Sequence, residues 1–139
     1  MQNQPRGIRN NNPGNIDYNP RNAWQGQLPP DARIESRFAR FDTPQNGIRA
    51  LAKLLLNYRK IHGLRTVESL IARWAPSNEN DTKAYARAVA VEVGVPMQAV
   101  IHLDQPTLEK LVTAIIRHEN GQQPYRAELI AAAVGEVLA

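Results

Sequence analysis

The chain has no cysteine. That excludes a disulfide framework, a thiolate nucleophile and a Cys-ligated zinc site, so stability must come from packing alone. No apolar run approaches the roughly 18–20 residues of a membrane span. The start, "MQNQPRGIRNNNPGN", also lacks the apolar segment of a secretory signal. The expectation is a protein made in the cytoplasm without a signal peptide. Action in the periplasm or cell wall would then need delivery by a virion, a lysis system or a secretion system. Acidic residues are outnumbered, 13 against 17 basic ones, for a net charge of +4. The excess favours an acidic polymer such as wall glycan or nucleic acid, but it is spread along the chain, and a solvated surface explains it equally well. No Arg/Lys stripe with interleaved aromatics marks a nucleic-acid binder. His62 and His102 stand alone and His118 points off the apolar face, so neither a metal site nor a cofactor is expected.

What is present fits one domain. The 139 residues are 42% hydrophobic, enough for a modest core. Residues 1–46 read as a loop-rich lobe, with the turn signals "NPGN", "YNPRN" and "LPPD". Within it "RIESRFARF" (33–41) alternates Ile34, Ser36, Phe38 and Arg40 with Glu35, Arg37, Ala39 and Phe41, a short strand or an extended connector. Residues 47–139 form a helical part. The first helix has Thr43 as N-cap, Pro44 at its first position, a face of Ile48, Leu51, Leu55, Tyr58 and Ile61, and a stop at Gly63. A second opens at Thr66 with Ser69 three residues on, and buries Val67, Leu70, Ile71 and Trp74 before Pro76. A third runs from Asn80 or Asp81 to Gly94. After a short turn, "PMQAVIHL", come a helix ending at "HENG" and a last one burying Leu129, Ile130, Ala133, Val137 and Leu138. The expected class is mainly α, with an irregular N-terminal lobe.

One glutamate breaks the pattern. In "QPTLEKLVTAIIRHENG" the apolar residues Leu108, Leu111, Val112, Ile115 and Ile116 define a helix face. Glu119 falls within about 40° of Leu108 and Ile115 at about 100° per residue. The helix end, marked by Gly121, carries partial negative charge, which disfavours a carboxylate there. A side chain badly placed for stability on two counts is a candidate for function. Apolar surroundings and the dipole should raise its pKa, and a carboxyl still protonated near neutrality suits glycoside cleavage. A partner carboxylate is harder to single out. Asp17, Asp31, Glu35 and Asp42 all lie in the lobe, and Glu35 and Asp42 are carried forward as candidates. Without one, a single-acid mechanism would use the sugar's own 6-hydroxyl or N-acetyl group as nucleophile.

"GIRNNNPGNI" (7–16) packs four Asn around Pro13 and Gly14. The segment is either a tight turn held by Asx bonds or a set of amides, Asn11, Asn12 and Asn15, for sugar hydroxyls and N-acetyl groups. Trp24 in "AWQGQ" suits stacking on a sugar face or anchoring a core. Tyr85 is either a core aromatic or a hydroxyl that orients the sugar or the acid.

The run "GIRNNNPGNIDYN…WQGQ…RFARFDTPQNGIRALAKLLLNY…RWAPSNENDTKAYARAV…HENGQQPY" resembles a family of phage-associated peptidoglycan hydrolases with a lysozyme-like fold, related to domains of wall-attacking bacterial effectors. The resemblance covers about residues 6–130. A looser one links "HENG" to the Glu-Ser-Gly helix end of flagellar-type glucosaminidases and soluble lytic transglycosylases. Here the motif comes last instead of first, as in a circular permutation, which close-lying termini permit. Asn120 stands where those enzymes carry Ser. The resemblance implies Glu119 as catalytic acid, Tyr85 as a cleft tyrosine and Asn15 as a substrate-facing amide. It implies a monomer acting on peptidoglycan strands at the bond between N-acetylmuramic acid and N-acetylglucosamine. An N-acetylglucosaminidase, or a non-catalytic glycan-binding or virion module, would share these features.

Overall fold

The computed structural model of the chain describes residues 4–76 and 81–139. Within them lie six helices: α1 (Arg6–Arg9), α2 (Pro44–His62), α3 (Val67–Trp74), α4 (Thr82–Val93), α5 (Gln105–Asn120) and α6 (Ala127–Leu138). The fold is mainly α. No described helix is long and apolar enough to cross a membrane.

The helix boundaries follow local chemistry. The Thr43 hydroxyl accepts the Asn46 N–H, Pro44 opens α2, and Gly63 closes it in the left-handed region at φ 67°. Thr66 and Ser69 form a reciprocal capping box on α3. Asp81 caps α4 through the Ala84 N–H, while Asn80 lies outside the described residues. Asp104 caps α5 and Gly121 ends it at φ 70°. α1, which periodicity did not reveal, is a single turn. It is closed by a Schellman motif in which Asn12 N–H bonds Gly7 O, Asn11 N–H bonds Ile8 O, and Asn11 takes φ 53°.

α5 is the hub. It packs against α4, α6, α2 and α1, while α2 lies along α6 and α3 against α4. Its buried face holds Leu108, Leu111, Val112, Ala114, Ile115, Ile116 and Asn120. Two positions depart from the periodic expectation. Ile61 is 69% exposed; six residues at 100° each rotate it about 120° away from Leu55. Leu138 is also exposed, and Val134 instead supplies the buried contact in α6.

The lobe has its own small core of Ile16, Ala39, Phe41 and Ala50, flanked by Trp24, Leu54 and Trp74. Trp74 also borders the main core, so it joins the two. "RIESRFARF" makes isolated bridges, Asp17 with Phe38 and Gln27 with Phe41, rather than a strand. The cause is Glu35, whose carboxylate accepts the Arg37 and Phe38 N–H groups and draws the backbone out of ladder geometry.

The lobe meets α2 where Gly47 leaves no side chain. A β-carbon there would fall 1.7 Å from the Asn11 carbonyl oxygen. Gly47→Ala should therefore cost about 3 kcal/mol or more. Gly135, inside α6 with only the Gln105 side chain at 3.7 Å, meets no such barrier, and Gly135→Ala should add about 0.5–1 kcal/mol. Urea midpoints for the two variants should move in opposite directions; equal shifts would contradict this packing.

Candidate functional site

The last turn of α5 and the turn 12–16 form one structure. "NPGN" is a β-turn in which Asn15 N–H bonds Asn12 O, with Pro13 at its second position. Asn15 takes φ 51°, a left-handed conformation that asparagine tolerates. Its side-chain amide donates to Glu119 Oε1 at 2.9 Å. The Tyr85 hydroxyl, from α4, donates to Glu119 Oε2 at 2.8 Å. Next door, Asn120 donates to Pro13 O at 2.8 Å and to Ile116 O at 2.9 Å, which fastens the turn to the helix end. Gly7 makes this approach possible, because a β-carbon there would lie 2.7–2.9 Å from Asn120 Oδ1, Asn12 O and Asn15 Oδ1.

Glu119 is half-buried, not enclosed among the apolar residues of its helix face as its wheel position implied. Its surroundings are more polar than the wheel suggested, since each oxygen holds a donor. Each carboxylate oxygen keeps a second acceptor position, and the carboxylate lines a cavity of about 750 Å³, within the usual size range of ligand clefts. Asn15, Asp17, Asn19, Asn22, Arg37 and Phe38 line the lobe side; Leu54, Tyr58, Arg73 and Trp74 line the helical side. Tyr58 and Trp74 stand edge to face, 6.3 Å apart at 66°.

Tyr85 is wholly buried, its ring stacked on His118 at 3.7 Å. Burial first, then the Glu119 charge and hydrogen bond, push its pKa far above the ordinary tyrosine value, against an opposing hydrogen bond from Trp74. The phenol therefore stays protonated and keeps donating. Tyr85 does not line the cavity, so the expected cleft tyrosine is a positioning residue that acts through Glu119.

Other expected site residues lie elsewhere. Asn12 is fully buried: its amide donates to Ile16 O and Ala39 O, and its oxygen accepts Ile16 N–H. Asn11 donates to Phe41 O. Both serve the turn and not the groove. Trp24 is an anchor of the lobe core, with its indole nitrogen buried.

Neither carried-forward carboxylate reaches the groove. Glu35 is locked by Arg6 Nε and Nη2 at 2.8 and 2.5 Å and by the Asn10 amide. Arg6 above all, against the cost of burial, holds its carboxyl well below the usual glutamate range. Asp42 sits just before the α2 cap and accepts from Asn46, where the helix N-terminus favours it. Asp31 pairs with Arg33 in a turn. Among the described residues the groove's second acid is Asp17, exposed and joined to Arg37 at 2.8 Å. The signal for it was the extended-chain period of two: Asn15, Asp17 and Asn19 share one side, while Ile16 enters the lobe core. Tyr58 and Trp74, which helical periodicity places on buried faces, are both only half-buried. Among the described residues no three His, Cys, Asp or Glu side chains cluster as a metal site would require.

Lobe and helices thus define a small mainly α domain whose cleft carries a doubly hydrogen-bonded carboxylate. No protein-family model matches the chain. Over 122 residues it is 41% identical to Protein P5 of Pseudoalteromonas phage PM2, a match covering 86% of this chain and 74% of that protein. The chain belongs to the family of that phage protein.

Two predictions follow from the lobe chemistry. A carboxyl with a depressed folded pKa stabilises fully above the ordinary glutamate value of about 4.3, and the contribution is lost as pH falls through the folded value. Glu35→Gln should therefore lower Tm at pH 7 and flatten the decline of Tm below about pH 4.3; a Tm profile parallel to wild type would contradict this role. Asn12→Ala leaves buried groups unpaired at about 1–3 kcal/mol each, whereas Asn22→Ala, at the groove, should leave the unfolding free energy from urea titration within about 0.5 kcal/mol of wild type.

Proposed function

We propose that the protein is a peptidoglycan glycosidase of the lysozyme-like class, cutting the β-1,4 bond between N-acetylmuramic acid and N-acetylglucosamine. The observation that carries this reading is the Glu119 carboxylate, gripped by Asn15 and Tyr85 from two other parts of the chain and opening on the groove. The lining also suits a glycan. Tyr58 and Trp74 offer ring faces for pyranose stacking, and Asn19 and Asn22 offer amides for hydroxyl and acetamido groups. The phage relative accords with an agent that must pass a bacterial wall.

In this mechanism the Glu119 carboxylate takes up a proton at one of its free acceptor positions and gives it to the glycosidic oxygen as the C1–O bond breaks, and the leaving sugar departs as an alcohol. Positive charge develops at C1 and is quenched by water or by the sugar's own 6-hydroxyl, whose proton passes to the Glu119 carboxylate left by the first step. Asn15 and Tyr85 hold the carboxyl in one orientation, which matters because small misplacements of a catalytic group are costly in rate. Asp17, in the same groove, is placed to face that developing charge or to activate the water.

The test is release of soluble muropeptides from purified sacculi, analysed by mass spectrometry. Glu119→Gln should reduce release by at least about 100-fold with an unchanged circular dichroism spectrum. Tyr85→Phe, which removes only the donor, should reduce it about tenfold or more. Reducing or anhydro-muramic ends identify the proposed bond, whereas a reducing glucosamine end identifies an N-acetylglucosaminidase. Wild-type release by Glu119→Gln would remove the acid assignment, and strand binding without release would point to a glycan-binding module.

A further inference from the structure

Among the described residues four charged side chains line the groove: Asp17, Arg37, Arg73 and Glu119. Three are engaged with partners. Glu119 holds Asn15 and Tyr85, and Asp17 and Arg37 hold each other. Arg73 is different. Its guanidinium carbon lies 5.3 Å from the centroid of the Tyr58 ring, and the ion pairs among the described residues do not include it. It belongs to the last turn of α3, where the helix end favours a cation.

Contact with a ring uses none of the guanidinium's N–H groups as hydrogen-bond donors to a carboxylate and leaves them for a planar anion. Tyr58, edge-on to Trp74, gives that cation a stiff seat beside the surfaces best suited to sugar rings. The Tyr58 hydroxyl feels Arg73 and Asp17 with opposite signs, which puts both charges at this end of the groove. A carboxylate arriving beside a stacked sugar would meet Arg73 as a docking cation and Asp17 as a charge to avoid. That fixes the side from which an acidic substituent enters.

Resting on the glycan-cleaving reading above, we propose that Arg73 is the specificity residue of the groove: it binds a carboxylate carried by the muramyl unit and so selects wall glycan over uncharged polymers of N-acetylglucosamine. The carboxylate is either the free lactyl acid of peptide-free strands or an acid of the stem peptide in intact strands. Both are planar anions carried through the 3-oxygen at the edge of the muramyl ring.

The measurement is binding, which does not depend on turnover, in the Glu119→Gln protein by intrinsic fluorescence titration. Three probes are used: glycan strands with stem peptides, strands stripped of peptide, and an N-acetylglucosamine hexamer. Adding Arg73→Gln should raise Kd about tenfold for acid-bearing strands, as expected for one charge-assisted contact, and leave hexamer binding unchanged. Weakening on stripped strands locates the lactyl acid; weakening confined to intact strands locates the stem peptide. Lys110→Gln, which removes a positive charge elsewhere on α5, should change no Kd. Equal weakening of all three probes by Arg73→Gln, or none, overturns the inference. That result leaves the assignment of Glu119 standing, since muropeptide release tests it separately.

Discussion

Two hydrogen bonds onto one carboxylate hold the molecule's parts in register. Asn15 reaches Glu119 across 104 residues of chain and Tyr85 across 34, and Asn120 ties the same turn to the same helix end. The helix C-terminus opposes a carboxylate by about 0.3–1 kcal/mol. A hydrogen bond to a charged group contributes about 1.5–3 kcal/mol, so two donors outweigh the dipole even after allowance for partial exposure. The unfavourable position is held because the lobe and α4 supply what the helix end lacks. Without Asn15 and Asn120 the lobe would keep its own small core but lose its alignment with α5, and the groove between them would lose a wall.

The acids divide by surroundings. Glu35 is consumed by Arg6, Asn10 and two backbone N–H groups and serves the shape of the lobe. Asp42 and Asp31 serve a helix start and a turn. Among the described acids only Asp17 and Glu119 border the groove, and of these two Glu119 is half-buried with a donor on each oxygen while Asp17 is exposed. On the proposed reading this separation keeps stability and chemistry on different carboxylates. Changes at the catalytic acid then need not unfold the lobe.

The helical part was legible in the sequence because its signals are local. Thr43, Thr66, Gly63, Gly94 and Gly121 mark helix ends by side-chain capping or positive φ, and both are properties of a few neighbouring residues. Glu119 stood out for the same reason, as a departure from a helical period. The lobe was not legible, since its shape comes from contacts between distant segments. Nothing local says that of four neighbouring asparagines Asn12 is buried glue and Asn15 the group on Glu119. Of the two roles open to Trp24 the structure gives it the anchor, packed on the lobe core, while Trp74, expected to be buried, stands half-buried at the groove edge.

The central claim is that Glu119 meets the glycosidic oxygen of a strand lying in the groove between lobe and helices. A crystal structure of the Glu119→Gln protein with a muramic acid-containing tetrasaccharide tests it most directly. The account predicts sugar rings against Tyr58 and Trp74, with a bridging oxygen about 2.6–3.2 Å from the side chain at position 119. A glycan bound on another face, or one whose linkages all lie beyond reach of that side chain, would contradict it.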